Sequence, residues 1–251
     1  MNERRVNIIG ILEKNGFASV SLLAEALGVS DMTIRRDLDY LEEKKKVRRV
    51  HGGAVTVENC NREPAFEQRA TNLVEEKRNI ARLAATLVET ETTIALDSGS
   101  TALELVKCLV DIPQLTIVTS SIHIMNLCLS HPNIQILVPP GHLRPHEGSI
   151  VGSETVEFLR TIHVDQFFMG VGGIDSKAGV TEYNMDDIAV KKALAANAKQ
   201  LIVLADASKF NKITFAKICD LDLIDCLVTN ATLPKNLQEL FDDLGTMVLK
   251  P

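Results

Sequence analysis

Two short segments of this sequence contain residue types that could bind an anion. The first includes Arg35 and Arg36, which follow Ser30, Met32 and Thr33. An arginine guanidinium can donate two hydrogen bonds to guanine O6 and N7, and its charge offsets that of a phosphate. These residues could therefore contact DNA if a helix carries them on an exposed face. The second segment, 97–101, is rich in hydroxyl groups and glycine, which suit a phosphate.

The spacing of apolar residues predicts a helix that contains the two arginines. Ser30 is a natural N-cap, and Ile34, Leu38 and Leu41 recur at intervals of four and three residues. A face made by these three residues would pack against a core. The arginines would then point outward, where a helix in a major groove can reach base edges or phosphates.

Two helices before this one and a hairpin after it complete a winged helix-turn-helix pattern. Apolar spacing predicts helices at 5–15 and at 21–27, the second with an N-cap at Ser21 and a stop at Gly28. Residues 47–55 alternate with a period of two around a Gly-Gly turn, which predicts a hairpin, or wing. The wing residues that could reach DNA are Arg48, Arg49, His51 and Gly52.

Composition and charge indicate a basic N-terminal segment attached to an acidic remainder. Residues 1–56 hold 10 of the 27 lysines and arginines and 8 of the 33 aspartates and glutamates, although the whole chain has a net charge of −6. The five cysteines are odd in number, lie mostly within apolar stretches and form no C-x-x-C pair, so we expect buried free thiols. We expect no metal and no cofactor. No apolar run is long enough to cross a membrane and no signal peptide is present, so we expect a cytoplasmic protein.

In the rest of the chain the pattern changes to short strands that alternate with helices. Apolar periodicity fades over 58–75, where Pro64 interrupts it, and we interpret this stretch as a linker. The alternation of strands and helices after this stretch is typical of an α/β domain with a largely parallel sheet. Strands are predicted at 93–96, 115–119, 134–138, 164–169, 201–205 and 226–229, and helices at 80–88, 102–110 and 189–198.

Polar and glycine-rich loops follow several of the predicted strands. Segment 97–101 follows the first strand, and 119–121, 141–144 and 170–175 follow later ones. Because ligands in α/β sheets bind outside the carboxyl ends of the strands, we expect these loops to gather around one pocket. A helix that begins at the first loop would turn its free N–H groups and positive end toward a bound phosphate.

The N-terminal residues closely resemble the DeoR-type bacterial repressors. The resemblance is carried by 20–24, 27–30, 33–38, 41–42 and 49–54. It implies that 33–38 lie on the recognition helix and that Ser30, Thr33, Arg35 and Arg36 lie near DNA, with Arg49, His51 and Gly52 on the wing. One departure is the pair of lysines at 45–46, where the family commonly has a glycine before the wing.

The resemblance covers the second half too, and so nearly the whole chain. In the DeoR family this half is similar to ribose-5-phosphate isomerase and binds phosphorylated sugars or polyols as effectors. Ser120 stands where the family usually has asparagine, and His142 stands where it often has a second glycine. By resemblance, the phosphate loop consists of Asp97, Ser98, Gly99, Ser100 and Thr101. The further candidates for the effector pocket are Ser120, Arg144, Gly172, Asp175, Lys191, Asp206 and Lys209.

Three functions are compatible with these features. The first is a repressor of a carbohydrate or polyol catabolic operon, which binds double-stranded operator DNA as a homodimer or homotetramer and responds to a phosphorylated sugar or polyol. The second is an aldose-ketose sugar-phosphate isomerase with a DNA-binding module. It is disfavoured because isomerisation needs a carboxylate base, and 170–175 has lost most carboxylates of the isomerase's acidic loop. The third is a protein-interaction module, against which the paired arginines argue.

The first function is therefore our prediction, and it implies no enzyme activity and no membrane partner. We predict an α/β protein in which an N-terminal winged helix-turn-helix domain, residues 1–57, binds DNA. A linker, 58–75, would connect it to a ribose-5-phosphate-isomerase-like α/β sensor domain, 76–251.

Overall fold

The computed structural model describes residues 3–15, 17–44, 46–50, 52–56 and 63–250. Within this part of the chain, the N-terminal region has three helices and a three-stranded antiparallel sheet in which β3 lies between β1 and β2. The elements are α1 (Glu3–Asn15), β1 (Phe17–Ser19), α2 (Val20–Leu27), α3 (Asp31–Glu43), β2 (Val47–Val50) and β3 (Gly53–Thr56).

The N-terminal core confirms the predicted helical faces. Ile34, Leu38 and Leu41 of α3 are fully buried, together with Ile8 and Leu12 of α1. Ser30 caps α3 as predicted, since its Oγ accepts a hydrogen bond from the backbone N–H of Thr33. These contacts fix which side of α3 remains in solvent.

The predicted start of the second helix is wrong by two residues. The N-cap of α2 is Ser19, whose extended backbone lets its Oγ accept from the N–H of Leu22 at 3.1 Å, whereas Ser21 lies inside the helix. The predicted stop is confirmed, because Gly28 adopts a left-handed conformation with φ of 65° and donates its N–H to the last carbonyls of α2.

A seven-stranded parallel sheet forms the centre of the second region in the described residues, with strand order β15-β14-β12-β9-β4-β5-β6. Its strands are β4 (Thr93–Leu96), β5 (Leu115–Thr119), β6 (Ile134–Leu137), β9 (Val164–Gly170), β12 (Ala198–Leu204), β14 (Cys226–Val228) and β15 (Met247–Leu249). The smaller antiparallel strands are β7 (His142–Arg144), β8 (Ser149–Val151), β10 (Gly173–Asp175), β11 (Gly179–Glu182) and β13 (Ala216–Cys219). The helices are α4 (Phe66–Thr71), α5 (Val74–Ala85), α6 (Ser100–Leu109), α7 (Ile122–Cys128), α8 (Ser153–Leu159), α9 (Met185–Ala196) and α10 (Lys235–Leu244).

Both faces of the large sheet are buried. Along β4, Ala95 belongs to one hydrophobic cluster, while Ile94 and Leu96 belong to a second cluster on the opposite face. A parallel sheet requires this cover on both sides, because its crossover helices lie on both faces. The predicted α/β architecture and all six predicted strands are confirmed, although β12 begins at Ala198, earlier than the predicted 201.

The stretch interpreted as a linker, 58–75, contains helical structure in its described part. Helix α4 and the start of α5 lie within it, and the boundaries of the linker stay a prediction. Phe66 holds α4 in place, because its buried ring stacks on His123 with centroids 3.8 Å apart. A six-residue helix anchored by one aromatic side chain leaves too weak an apolar period to be recognised in the sequence.

Candidate functional site

The exposed face of α3 displays the predicted DNA-contacting residues. Arg35 and Arg36 are exposed, and among the described residues neither forms an ion pair. Met32 is 61% exposed beside them. Ser30 Oγ and Thr33 Oγ1 lie 3.0 Å apart at the start of the helix, which fixes both hydroxyl groups at its N-terminus. The two guanidinium groups are thus free to meet an anionic surface.

A buried carboxylate fixes α3 against the first helix, and sequence analysis did not find it. Asp37 accepts hydrogen bonds from Nε of Arg4 at 2.5 Å and from Nε of Arg5 at 2.7 Å. Burial alone would raise the pKa of Asp37, but the two arginines outweigh burial and lower it. The available signal was its spacing, since Asp37 lies three residues after Ile34 and four before Leu41, on the buried face.

The wing lies directly beside α3. The guanidinium of Arg49 forms an ion pair with Asp39, and the Arg49 backbone N–H donates to Glu42 Oε1 at 2.6 Å. Gly52 is exposed at the tip with a positive φ of 77°, a conformation that suits glycine. The side chain of Arg48 and the whole of His51 lie outside the described residues.

A cavity of about 100 Å³ lies at the carboxyl ends of β4, β9 and β12. This is the position expected for a ligand site in a parallel α/β sheet. Most of the predicted pocket residues line it: Asp97, Ser98, Gly99, Ser100, Thr101, Gly172, Lys191, Asp206 and Lys209. Lining residues that sequence analysis missed include Glu63, Gln68, Arg69, Asn72, Lys77, Glu182, Tyr183, Asp187 and Lys212.

The predicted phosphate loop leads into the N-terminus of α6. Gly99 is the N-cap of this helix and no side chain caps it, so the first N–H groups of α6 are available to a ligand in the cavity. The carboxylate of Asp97 is bound by groups of the protein itself, because its Oδ2 accepts a hydrogen bond from the Gly170 N–H at 3.0 Å and lies 3.2 Å from Lys191 Nζ. The loop therefore offers N–H and hydroxyl donors while its carboxylate is held by neighbouring groups.

Lys191 is a buried cation held between two carboxylates. Its Nζ lies 2.6 Å from Glu182 Oε2 and donates to the Gly170 carbonyl at 2.8 Å. Burial works against the charge, but Asp97 and Glu182 outweigh burial and raise the pKa of Lys191. Lys191 and its carboxylates thus join α9 to β11 and to the loop after β4.

Another wall of the cavity brings several cations close together. Burial lowers the pKa of Lys77 to about 8, and its Nζ donates to the carbonyls of Arg69 and Asn72. Burial also lowers the pKa of Lys209, and the nearby Lys212 and Arg69 lower it further although Asp206 opposes them. A lowered lysine pKa indicates that this wall would be stabilised by an additional anion.

Three predicted pocket residues do not line the cavity. Ser120 is buried, and its carbonyl accepts from the N–H of Ile150 at 2.8 Å. Asp175 closes the turn after β10, where its Oδ1 accepts from the N–H groups of Lys177 and Ala178. Arg144 forms ion pairs with Glu63, at 2.8 Å, and with Asp187. Each of these three residues thus forms a hydrogen bond or an ion pair within the protein.

The described residues offer neither a metal-binding cluster nor a membrane-spanning helix. They contain no group of three or more His, Cys, Asp or Glu side chains placed to hold a metal ion. No described helix combines the length and apolar character needed to cross a membrane. Among the cysteines in the described ranges, Cys128, Cys219 and Cys226 are buried free thiols as predicted, whereas Cys108 is free but exposed; Cys60 lies outside those ranges.

Comparisons with known proteins cover both regions. Residues 4–59 match the family described as the DeoR-like helix-turn-helix domain, and residues 72–231 match the DeoR C terminal sensor domain. The HTH-type transcriptional regulator GolR of Listeria innocua is 35% identical over 98% of this chain and 97% of its own length. The glycerol-3-phosphate regulon repressor of Escherichia coli is 29% identical over 96% of this chain and 95% of its own length.

Among solved structures, a D-ribose-5-phosphate isomerase in complex with phospho-erythronic acid is similar to this chain. It has a TM-score of 0.42 and 21% identity and covers 56% of this chain and 55% of the isomerase. A likeness of that size supports no assignment of activity.

Proposed function

The chain belongs to the DeoR family of transcriptional regulators, and we propose that it represses a carbohydrate or polyol catabolic operon under the control of a phosphorylated sugar or polyol. Residues 1–57 would bind double-stranded operator DNA in the cytoplasm, and 76–251 would bind the effector. The repressor would act as a homodimer or homotetramer. An effector that binds one conformation better than the other would shift the population between DNA-binding and released forms.

The cavity at the N-terminus of α6 is the observation that carries this proposal. The N-terminus of α6, which no side chain caps, lines the same cavity as Lys77 and Lys209, and burial lowers the pKa of both lysines. A phosphoryl group placed between them would accept hydrogen bonds from the helix and relieve the repulsion between the cations. The hydroxyl groups of Ser98 and Thr101 would add donors or acceptors for the rest of the ligand.

DNA binding is supported by the arrangement of α3 and the wing. Arg35 and Arg36 extend from the exposed face of a helix whose other face is buried, so the helix can enter a major groove without disturbing its core. Ser30, Met32, Thr33 and the wing residues Arg48, Arg49, His51 and Gly52 would make the neighbouring contacts.

An isomerase remains the alternative because one cavity carboxylate has the pKa of a useful base. Burial raises the pKa of Asp187 to about 6. Asp187 is nevertheless paired with Arg144 and accepts a hydrogen bond from Ser149 Oγ at 3.0 Å. Because these partners hold both of its oxygens, we favour a sensor without enzyme activity.

A thermal-shift comparison of matched ligands tests the sensor. We expect at least one of glycerol 3-phosphate, ribose 5-phosphate and glucitol 6-phosphate to raise the unfolding temperature, while glycerol, ribose and glucitol do not. A ligand at 100 times its Kd should stabilise the folded chain by about 2.7 kcal/mol. Lys209→Gln should reduce this stabilisation, and Lys192→Gln, on the exposed side of α9, should leave it unchanged.

Equal shifts from phosphorylated and unphosphorylated ligands would contradict a phosphate site. Conversion of ribose 5-phosphate to its ketose by the purified chain would instead establish the isomerase.

A further inference from the structure

Residues 63–73, which precede α5 and contribute to the cavity lining, are named here the strap. It begins seven residues after Thr56, the end of β3, and ends where α5 starts. Six of its side chains or backbones line the cavity: Glu63, Pro64, Gln68, Arg69, Asn72 and Leu73. A segment joined to the wing thus forms one wall of the site that would hold the effector.

The central part of the strap is fixed to the sensor region by several contacts. Phe66 stacks on His123 of α7, and Arg69 forms an ion pair with Glu147. Lys77 donates to the carbonyls of Arg69 and Asn72 at the end of α4. These contacts combine packing, an ion pair and backbone hydrogen bonds, and none of them involves Glu63.

Glu63, at the start of the strap, is held by two guanidinium groups. Its Oε1 lies 2.8 Å from Arg69 Nη1, and its Oε2 lies 2.8 Å from Arg144 Nη2. The Glu63 side chain is 15% exposed and lines the cavity, as does Arg69. On the cavity wall, Arg69 therefore already holds a carboxylate through the kind of contact that it would make with an anionic ligand.

The charges around Glu63 indicate that its ion pairs depend on whether another anion is bound nearby. Arg69 and Arg144 contact three carboxylates, those of Glu63, Glu147 and Asp187, so this cluster contains one more acid than base. Burial raises the pKa of Glu147 to about 7, which is consistent with that excess of acid. A phosphoryl group that contacted Arg69 would increase this local excess, so it would favour the departure of one carboxylate from the cluster.

We propose that Glu63 is a built-in competitor of the effector, which is displaced from Arg69 when a phosphorylated sugar or polyol enters the cavity. The displaced carboxylate releases the start of the strap, while the Phe66 and Lys77 contacts keep its remainder in place. Because a short covalent connection joins Glu63 to β3, this release changes the restraint on the wing and so on DNA binding. The inference rests on the proposed effector function of the same cavity.

Calorimetric titration of the full chain tests this competition. The probes are inorganic phosphate, glycerol 3-phosphate, ribose 5-phosphate and glucitol 6-phosphate. Glu63→Gln keeps the shape of the side chain and removes the competing charge, so we expect the Kd of the bound probe to fall about tenfold. Glu67→Gln removes an exposed charge from the same strap and should leave the Kd at the wild-type value.

Hydrogen exchange gives a second measurement that does not depend on affinity. In the wild-type chain, the bound probe should speed exchange of the amides at the start of the strap. In Glu63→Gln these amides should exchange fast without any probe, while those of α4 remain protected in both chains. A strap that becomes more protected when the probe binds would overturn displacement.

The outcomes separate this inference from the proposed function. If the wild-type chain binds a probe and Glu63→Gln has the same Kd as Glu67→Gln, the competitor role fails and the sensor stands. If the wild-type chain binds none of the four probes, the sensor fails and the competitor role fails with it.

Discussion

Arg35 and Arg36 in the DNA-binding half are exposed, and neither forms an ion pair in the described residues, whereas Lys191 in the sensor half is 4% exposed and held between Asp97 and Glu182. An exposed guanidinium keeps its hydration and can meet a polyanion directly. A buried ammonium group stays charged because neighbouring carboxylates replace its water. We therefore expect the exposed arginines of α3 to serve recognition, whereas the buried charge of Lys191 first maintains the fold.

Removal of the Lys191 charge should have the largest effect on stability. Lys191→Met preserves most of the side-chain volume but leaves Asp97 and Glu182 buried without their cation. Breaking a buried ion pair in this way costs about 3–5 kcal/mol. Urea unfolding of the wild type and of Lys191→Met would measure the two free energies of unfolding. The matched control is Lys192→Met on the exposed side of the same helix, for which we expect a change of about 0.5 kcal/mol or less.

A Lys191→Met chain within about 1 kcal/mol of the wild type would contradict the fold-maintaining role. The buried lysine would then resemble the exposed arginines, and the contrast between the two halves would rest on location alone.

Removal of one exposed arginine should weaken DNA binding and leave stability unchanged. Arg36→Ala should leave the free energy of unfolding within about 0.5 kcal/mol of the wild type, because Arg36 lies in solvent. Operator binding should weaken by about 1–3 kcal/mol, which corresponds to a Kd roughly 5 to 150 times higher. Fluorescence anisotropy on an operator fragment identified by footprinting would measure this Kd.

The same anisotropy measurement has a control variant and a salt series. Arg160→Ala removes an exposed arginine of the sensor half and should not change the Kd. The wild-type affinity should fall steeply as salt concentration rises, because bound phosphates release their counterions. A flat salt response with equal Kd values for Arg36→Ala and the wild type would contradict α3 as the DNA-contacting helix.

Sequence alone predicts the elements whose positions depend on local spacing. The face formed by Ile34, Leu38 and Leu41, and the six strands predicted for the large sheet, follow from periods of three to four residues or from short β-branched runs. The small sheet of β10, β11 and β13 was not predicted, because its strands are short and Val180 pairs with Cys219 far along the chain. Local pattern contains no information about such a partner.

The same limit explains the wall of the cavity that sequence analysis missed. Glu63 meets Arg144 across 81 residues of sequence, and Arg69 meets Glu147 across 78. Arg144 was expected in the pocket, but it does not line the cavity and instead pairs with Glu63 and Asp187, which do. Loop position at a strand end predicts the neighbourhood of a site, whereas tertiary ion pairs decide which side chains face it.

Substitution of Asp37 is expected to have the smallest effect. It tests the contrast between exposed and buried charge most directly, since Asp37 is a buried charge within the DNA-binding half. Asp37→Asn should lower the free energy of unfolding by about 1 kcal/mol at pH 7, because Arg4 and Arg5 lose an ionised partner but are themselves partly exposed. Glu43→Gln, at the exposed end of α3, is the control and should change stability by about 0.5 kcal/mol or less.

The pH dependence of this difference follows from the lowered pKa of Asp37. A carboxyl group whose pKa is lower in the folded than in the unfolded chain stabilises the fold fully above its unfolded value of about 3.9, and loses that contribution as pH falls through the folded value. Urea unfolding at pH 7 and below pH 4 should therefore show a gap between wild type and Asp37→Asn that closes in acid. A gap that stays constant would mean that packing of the side chain, and not its charge, joins α1 to α3. Buried charge would then maintain the fold in the sensor half alone.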